Sequence, residues 1–138
     1  MSIWDLEKKL SKRLTVWSIF SMIIGGGMTM DLHKPLRAMG QQFLAWGFID
    51  LLIARFGARQ ARKKEARGED VAKERRSIRR LLWLNTFLDV GYMAGGLHLM
   101  NDPDEVKQGH GRGVLIQGGF LFIFDLIHAL LVGRTEKS

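Results

Sequence analysis

The chain has 138 residues, 21 Lys and Arg against 14 Asp and Glu, no cysteine, and 46% apolar residues. That length holds a single domain, residues 1–138, and the lack of cysteine excludes disulfide frameworks, thiol nucleophiles and cysteine-ligated metal sites. The mean hydropathy near zero averages two populations: four stretches with little or no charge, and the segments between them that hold most of it.

Residues 14–30, 38–54, 81–100 and 113–133 are those four stretches. Each has the length, roughly 17–25 residues, that crosses a hydrocarbon core as a helix. Ahead of the first, Ile3, Trp4, Leu6 and Leu10 space an apolar face that predicts a short interfacial helix. Leu14 to Met30 carries no charge. A soluble bundle helix keeps a polar face, and this one offers only Thr15, Ser18, Ser21 and Thr29. Basic residues precede it as in a signal peptide, but no small-residue cleavage site closes it, so it is expected to stay in the mature chain.

Residues 31–37 form a short hairpin with Pro35 as breaker. The second span follows, with Asp50 as its one charge; together these make a first hairpin over about 14–54. Residues 55–80 are rich in Arg, Lys, Ala and Glu, and predict helical extensions of spans two and three joined by a turn at Gly68-Glu69-Asp70. The third span holds Asp89 and His98. Residues 101–112 read as a longer, glycine-punctuated connection. The fourth span holds Asp125 and His128 and completes a second hairpin over about 81–133.

Orientation follows from Lys and Arg placement. The N-terminus, the 55–80 connection and the C-terminal tail carry 17 of these residues, against 4 in the other two connections. The sequence therefore predicts an all-α integral membrane bundle of four transmembrane helices in the cell's inner (plasma) membrane, with both termini and the 55–80 segment cytoplasmic. That bias also opposes dual-topology insertion. An internal repeat is visible. A shift of 75 lays Arg37, Gln42, Asp50 and Ala54 on Arg112, Gln117, Asp125 and Ala129; a shift of 70 lays Gly25-Gly26 on Gly95-Gly96. Two parallel-repeated hairpins would be related by a pseudo-twofold axis along the membrane normal.

The polar residues inside the spans are the candidates for a site: Gln42, Asp50, Asn85, Asp89, Tyr92, Gln117, Asp125 and His128. A carboxylate facing lipid at mid-span costs about 2.5 kcal/mol or more, so Asp50, Asp89 and Asp125 are expected to face inward. Asp89 lies eight residues past Leu81, about 12 Å in from the cytoplasmic end, and the other two carboxyls fall at broadly similar depth. Spans three and four form one hairpin, and Asp89 and Asp125 are nearly equidistant from its loop. They should face each other, with Asn85, Tyr92, Gln117 and His128 within hydrogen-bonding distance. Carboxyls packed together share protons rather than all ionise. The functional reading is a proton- or cation-binding pocket. The competing one is a hydrogen-bonded core that fixes helix register.

Other chemistries find no support. His33, His98 and His110 have no metal-ligand spacing, bis-histidine haem fails because His98 and His128 sit at opposite depths, and no Ser/His/Asp arrangement exists. Gly25-Gly26-Gly27, Gly91-x-x-x-Gly95 and Gly118-Gly119 are helix-packing signals. Gly109-x-Gly111-x-Gly113 follows no strand and precedes no Lys-Ser/Thr, so it is no phosphate loop. The 55–80 segment alternates charge and lacks aromatic residues between Phe56 and Trp83, which argues against nucleic acid and for anionic headgroups.

The run from Asn85 through Asp89, Gly91-Tyr92, Gly95-Gly96 to Leu99, taken with Gly109-His110-Gly111-Arg112-Gly113 through Gln117, Gly118-Gly119 and Asp125, resembles an uncharacterised domain-of-unknown-function family of small four-pass bacterial membrane proteins. Asn85, Asp89, Tyr92, Gln117 and Asp125 match its pattern. The resemblance implies topology and a bacterial origin, and no activity. The functional expectation is binding or transport of a small amphipathic ligand, proton or cation by the inward carboxyl and amide cluster. The alternative is a non-catalytic scaffold or accessory subunit. An enzyme ranks behind both, and no cofactor is implied. The partners implied are membrane lipids and a second copy or another membrane protein.

Overall fold

The computed structural model describes residues 1–137 and holds four helices: α1 Ile3–Thr29, α2 Lys34–Ala66, α3 Val71–Met100 and α4 Glu105–Val132. Local chemistry sets most of their ends. Ser2 and Asp5 form a reciprocal capping box at the start of α1. Pro35 occupies the first turn of α2, where its missing N–H is no loss. Gly68 ends that helix with φ +66°, a left-handed conformation suited to glycine, and its N–H donates to Glu65 C=O. Asp70 and Asp104 cap α3 and α4 by accepting from the N–H of Ala72 and Val106.

Two boundaries differ from the sequence expectation. No separate interfacial helix precedes the first span, because α1 runs unbroken from Ile3. Ile3, Trp4 and Leu6 are buried, in one cluster with Leu82 of α3 and Ala129 and Val132 of α4. Their apolar face meets protein instead of a membrane surface. The connection expected over 101–112 shrinks to residues 101–104, and Gly109, Gly111 and Gly113 lie inside α4. Glycine weakens an isolated helix; here each is spent on backbone approach, Gly109 against Pro35, Gly111 against Gly96 and Gly113 against Gln42.

α1 packs along α2, α3 along α4, and α2 against α4 at the centre. α1 barely meets α4, and among the described residues no Cα of α2 comes within 8 Å of one of α3. The bundle thus has two lateral gaps, α1–α4 and α2–α3.

The polarity is inverted relative to a water-soluble bundle. Ser18, Ser21, Thr86, Asp50, Asp89, Gln117, Asp125 and His128 are buried. Val16, Ile19, Phe20 and Ile23 of α1, Phe48, Leu52 and Phe56 of α2, Leu84, Phe87 and Val90 of α3, and Ile123 and Ile127 of α4 are exposed, Ile23 by 71% and Phe87 by 72%. By composition, one of the described helices, Glu105–Val132, is long and apolar enough to cross a membrane. The others fall short of the expected four spans because they carry more charge and amide along their length. Asp50, Gln41 and Gln42 dilute α2, while Asn85, Asp89 and His98 dilute α3. In α1 the last five turns already take in Lys12 and Arg13.

Local geometry recurs at a constant offset of 71 residues. Thr29 and Met100 end α1 and α3, and Lys34 and Glu105 begin α2 and α4. A Cβ on Gly25 would stand 2.8 Å from Gly40 C=O, and one on Gly96 2.8 Å from Gly111 C=O. Gly47 abuts Met22 as Gly118 abuts Met93. Thr15 donates to Ser11 C=O and Thr86 to Leu82 C=O, both at 2.8 Å. Asp31 and Asp102 each accept from the N–H two residues on. This offset differs from the shifts of 70 and 75 read from the sequence, and at 71 Asp50 falls on Leu121 and Asp125 on Ala54.

Candidate functional site: a carboxyl-lined cavity between the second and third helices

A cavity of about 270 Å³ fills the α2–α3 gap, floored by α1 and α4. Three carboxyls from three helices enter it: Asp50, Asp89 and Asp125, exposed by 3%, 2% and 7%. Asp89 and Asp125 are within hydrogen-bonding reach of each other, and Asp50 is close enough for its charge to act on both. One oxygen each of Asp50 and Asp89 is buried with no hydrogen-bond partner. The remaining wall is mainly aliphatic and aromatic, and neither Lys nor Arg lines it. Buried carboxyls normally have partners, so their absence sets this cavity apart from the rest of the interior.

Helix periodicity explains the convergence. Leu82, Asn85, Asp89 and Tyr92 recur at three and four residues along α3 and so share a face. Leu121, Phe124 and Asp125 do the same on α4, as do Trp46, Asp50, Ile53 and Ala54 on α2. All line the cavity. Asn85 and Tyr92 do so without a side-chain hydrogen bond to either aspartate among the described residues. The ring of Tyr92 meets that of Trp46 edge-on at 5.1 Å and closes one end of the gap. At the other end Lys64 of α2 reaches Glu74 of α3 at 3.2 Å.

Three sequence candidates belong elsewhere. Gln117, wholly buried, accepts from Trp17 Nε1 at 3.1 Å and donates to Ser21 Oγ at 3.2 Å. His128 pairs with Phe124 C=O at 2.7 Å and with an Arg13 guanidinium nitrogen at 3.0 Å. The guanidinium can only donate, so Nε2 accepts, Nδ1–H donates, and the ring is neutral. Gln42 accepts from Trp46 Nε1 and pairs through its amide nitrogen with His110 Nδ1. Neither Gln117 nor His128 bonds to Asp89 or Asp125 as expected, because each turns toward α1, whose polar residues lie on that side of α4.

The sequence reading missed Glu7. It lines the inner end of the cavity, and one of its carboxyl oxygens is buried without a partner. Burial first, and the Glu74 carboxyl second, push Glu7 up to about 8, while Lys64 acts in the opposite direction. Two carboxyls that face each other can hydrogen-bond only when one holds a proton. The signal was present in the spacing: Ile3, Leu6, Glu7, Leu10 and Leu14 form one stripe, with Glu7 the sole charge on it.

Comparison with curated proteins and with solved structures gives no match. A family profile does match, over residues 13–126, and so takes in most of both hairpins and all three aspartates of the cavity. The chain belongs to that family, a family of unknown function (DUF6992).

Proposed function

We propose that this protein is a four-span inner-membrane protein that binds a small amphipathic cation in the α2–α3 cavity in exchange for protons held by Asp50, Asp89 and Asp125. In this reading both termini and the Arg67–Asp70 turn are cytoplasmic, and the two hairpins are a parallel repeat about an axis along the membrane normal. Support for the membrane comes from the exposed apolar side chains on all four helices around a polar interior. Exposed apolar area of that extent marks contact with something other than water. The positive bias of the inner segments supports the orientation.

The observation that carries the ligand class is the set of orphaned buried carboxyl oxygens in an apolar cavity without a basic residue. Carboxyls this close in low dielectric cannot all ionise, so without a neighbouring positive charge at least one of them holds a proton. An organic ammonium supplies the missing positive charge, and its apolar part covers the wall. Charge then balances when one proton leaves for each singly charged cation that enters.

Titration of the purified protein with benzyltrimethylammonium in weakly buffered detergent solution tests the exchange. The wild type is expected to take up the cation and acidify the solution. Asp89→Asn is expected to remain folded and to lose both binding and proton release. A wild type that neither binds the cation nor releases protons overturns the reading. In that case the carboxyls act as interhelical glue in a scaffold, and Asp89→Asn is tolerated, since an amide still bonds and avoids a buried charge.

A further inference from the structure

The offset of 71 residues extends across the hairpins. The α2–α3 gap is closed at one end by Trp46 and Tyr92, and their counterparts in the α1–α4 gap are Gln117 and Ser21, themselves in contact at 3.2 Å. The two gaps are therefore equivalent places in the bundle, yet they are filled differently. In the α1–α4 gap the indole of Trp17 stacks on Phe120 at 3.7 Å and 8°. The residues at the corresponding places in the other gap are Leu88 and Ile49, which line the cavity and are about half exposed. One gap carries its own aromatic plug. The other has aliphatic side chains in its place and open volume between them.

The charge also differs. At an offset of 71 the residues that correspond to Asp89 and Asp125 are Ser18 and Ala54, neither of them charged, and the plugged gap holds Arg13 against His128. The open gap is thus the one whose carboxyls lack a basic partner, and the plugged one has its basic residue built in.

The geometry points to a ring-bearing organic cation as the occupant of the α2–α3 groove, entering sideways between Ile49 and Ile53 of α2 and Leu81 and Leu88 of α3. Its flat ring takes the place that Trp17 fills in the opposite gap, and its ammonium lies among Asp50, Asp89 and Asp125. This rests on the cation-binding reading above and adds the ring, the side of entry and the residues that select for them. Those four aliphatic residues form the mouth: each is exposed by between 45% and 57% while also lining the cavity. The enclosed volume of about 270 Å³ lies just below the range of about 300–1,000 Å³ usual for small-molecule sites. It suits one ring with a short cationic arm.

Calorimetry on the intact protein in detergent, with three probes and two variants, tests the inference. Benzyltrimethylammonium is expected to bind at a stoichiometry of one, tetramethylammonium at least about tenfold more weakly for want of the ring contact, and benzenesulfonate not at all. The double variant Ile49→Phe/Leu88→Trp rebuilds the plug of the opposite gap and leaves every carboxyl in place. It is expected to lose benzyltrimethylammonium binding while keeping its helical content. Should it fail to fold, Leu88→Phe alone, a smaller change at the same mouth, is expected to weaken binding by at least about tenfold. Binding of benzyltrimethylammonium by a folded plugged variant as tight as by the wild type, or equal binding of tetramethylammonium, overturns the inference and leaves the cation-binding reading standing. No binding of any cation by the wild type defeats the underlying reading itself.

Discussion

Glu7 shows how one residue registers the packing around it. It faces Glu74 from α3 and Lys64 from α2, with the three cavity aspartates further along the same space. Its carboxyl is held at about 8, above the ordinary value of 4.5, so the fold favours the protonated form. A group raised on folding contributes stability that is complete below its unfolded value and is lost as pH rises through the folded one. The window here runs from about 4.5 to about 8. Thermal unfolding in detergent should therefore show the wild type losing ground to Glu7→Gln as pH goes from 6 to 9, since the amide cannot ionise. A stability gap between the two proteins that stays constant over that range would contradict the assignment. Glu74 also accepts from Lys64 Nζ at 3.2 Å.

Glycine pairs set the spacing within each hairpin. Gly25 meets Gly40, and Gly96 meets Gly111, with backbone so close that an added Cβ would overlap it. Small residues that permit such approach are the usual means of joining helices whose outer faces are apolar. Gly91, one turn away from that seam on α3, has open space where its Cβ would be. Gly96→Ala is expected to destabilise the second hairpin by about 1–3 kcal/mol through forced backbone movement. Gly91→Ala is expected to be neutral or to stabilise slightly through helix propensity. Comparison of their melting temperatures checks the pair, and equal effects from both would show that the seam does not carry the packing. The same seam explains why a glycine-rich run reads as a loop from sequence and forms a helix in the bundle.

At the scale of the whole molecule, the exposed apolar side chains and the basic segments bear on the proposed orientation together. If the proposed orientation holds, the turn between α2 and α3 lies in the cytoplasm, with the basic flanks of both helices at anionic headgroups. A cysteine introduced as Ala66→Cys is expected to resist membrane-impermeant maleimide in intact cells and to react once the cells are opened. The chain has no native cysteine, so the signal comes from that position alone. Labelling in intact cells defeats the orientation, and recovery of the protein in the soluble fraction defeats the membrane reading.

The sequence by itself determined four helices and the turn at Gly68–Asp70, because these depend on charge, breakers and spacing within one segment. It also placed Asp50, Asp89 and Asp125 on inward faces through period 3.6, and all three are buried, whereas Asn85 is half-buried and Tyr92 is 38% exposed at the cavity's edge. Only the tertiary structure decided which neighbour each polar residue meets. Gln117 and His128 lie on the same broad side of α4 as Asp125, yet they turn to α1 while Asp125 turns to α3. Spacing along a helix fixes a residue's face to within a sector, whereas the partner helix against that sector is fixed by where two backbones approach most closely. That approach depends on small residues from both helices at once, Gly25 with Gly40 and Gly96 with Gly111. For the same reason the contacts that recur 71 residues apart were not legible in the sequence: they fall on inconspicuous glycines, methionines and threonines. Burial of Ile3, Trp4 and Leu6 was likewise undecidable in one dimension: an apolar stripe is equally suited to lipid and to protein, and the neighbouring ends of α3 and α4 settled which it would meet.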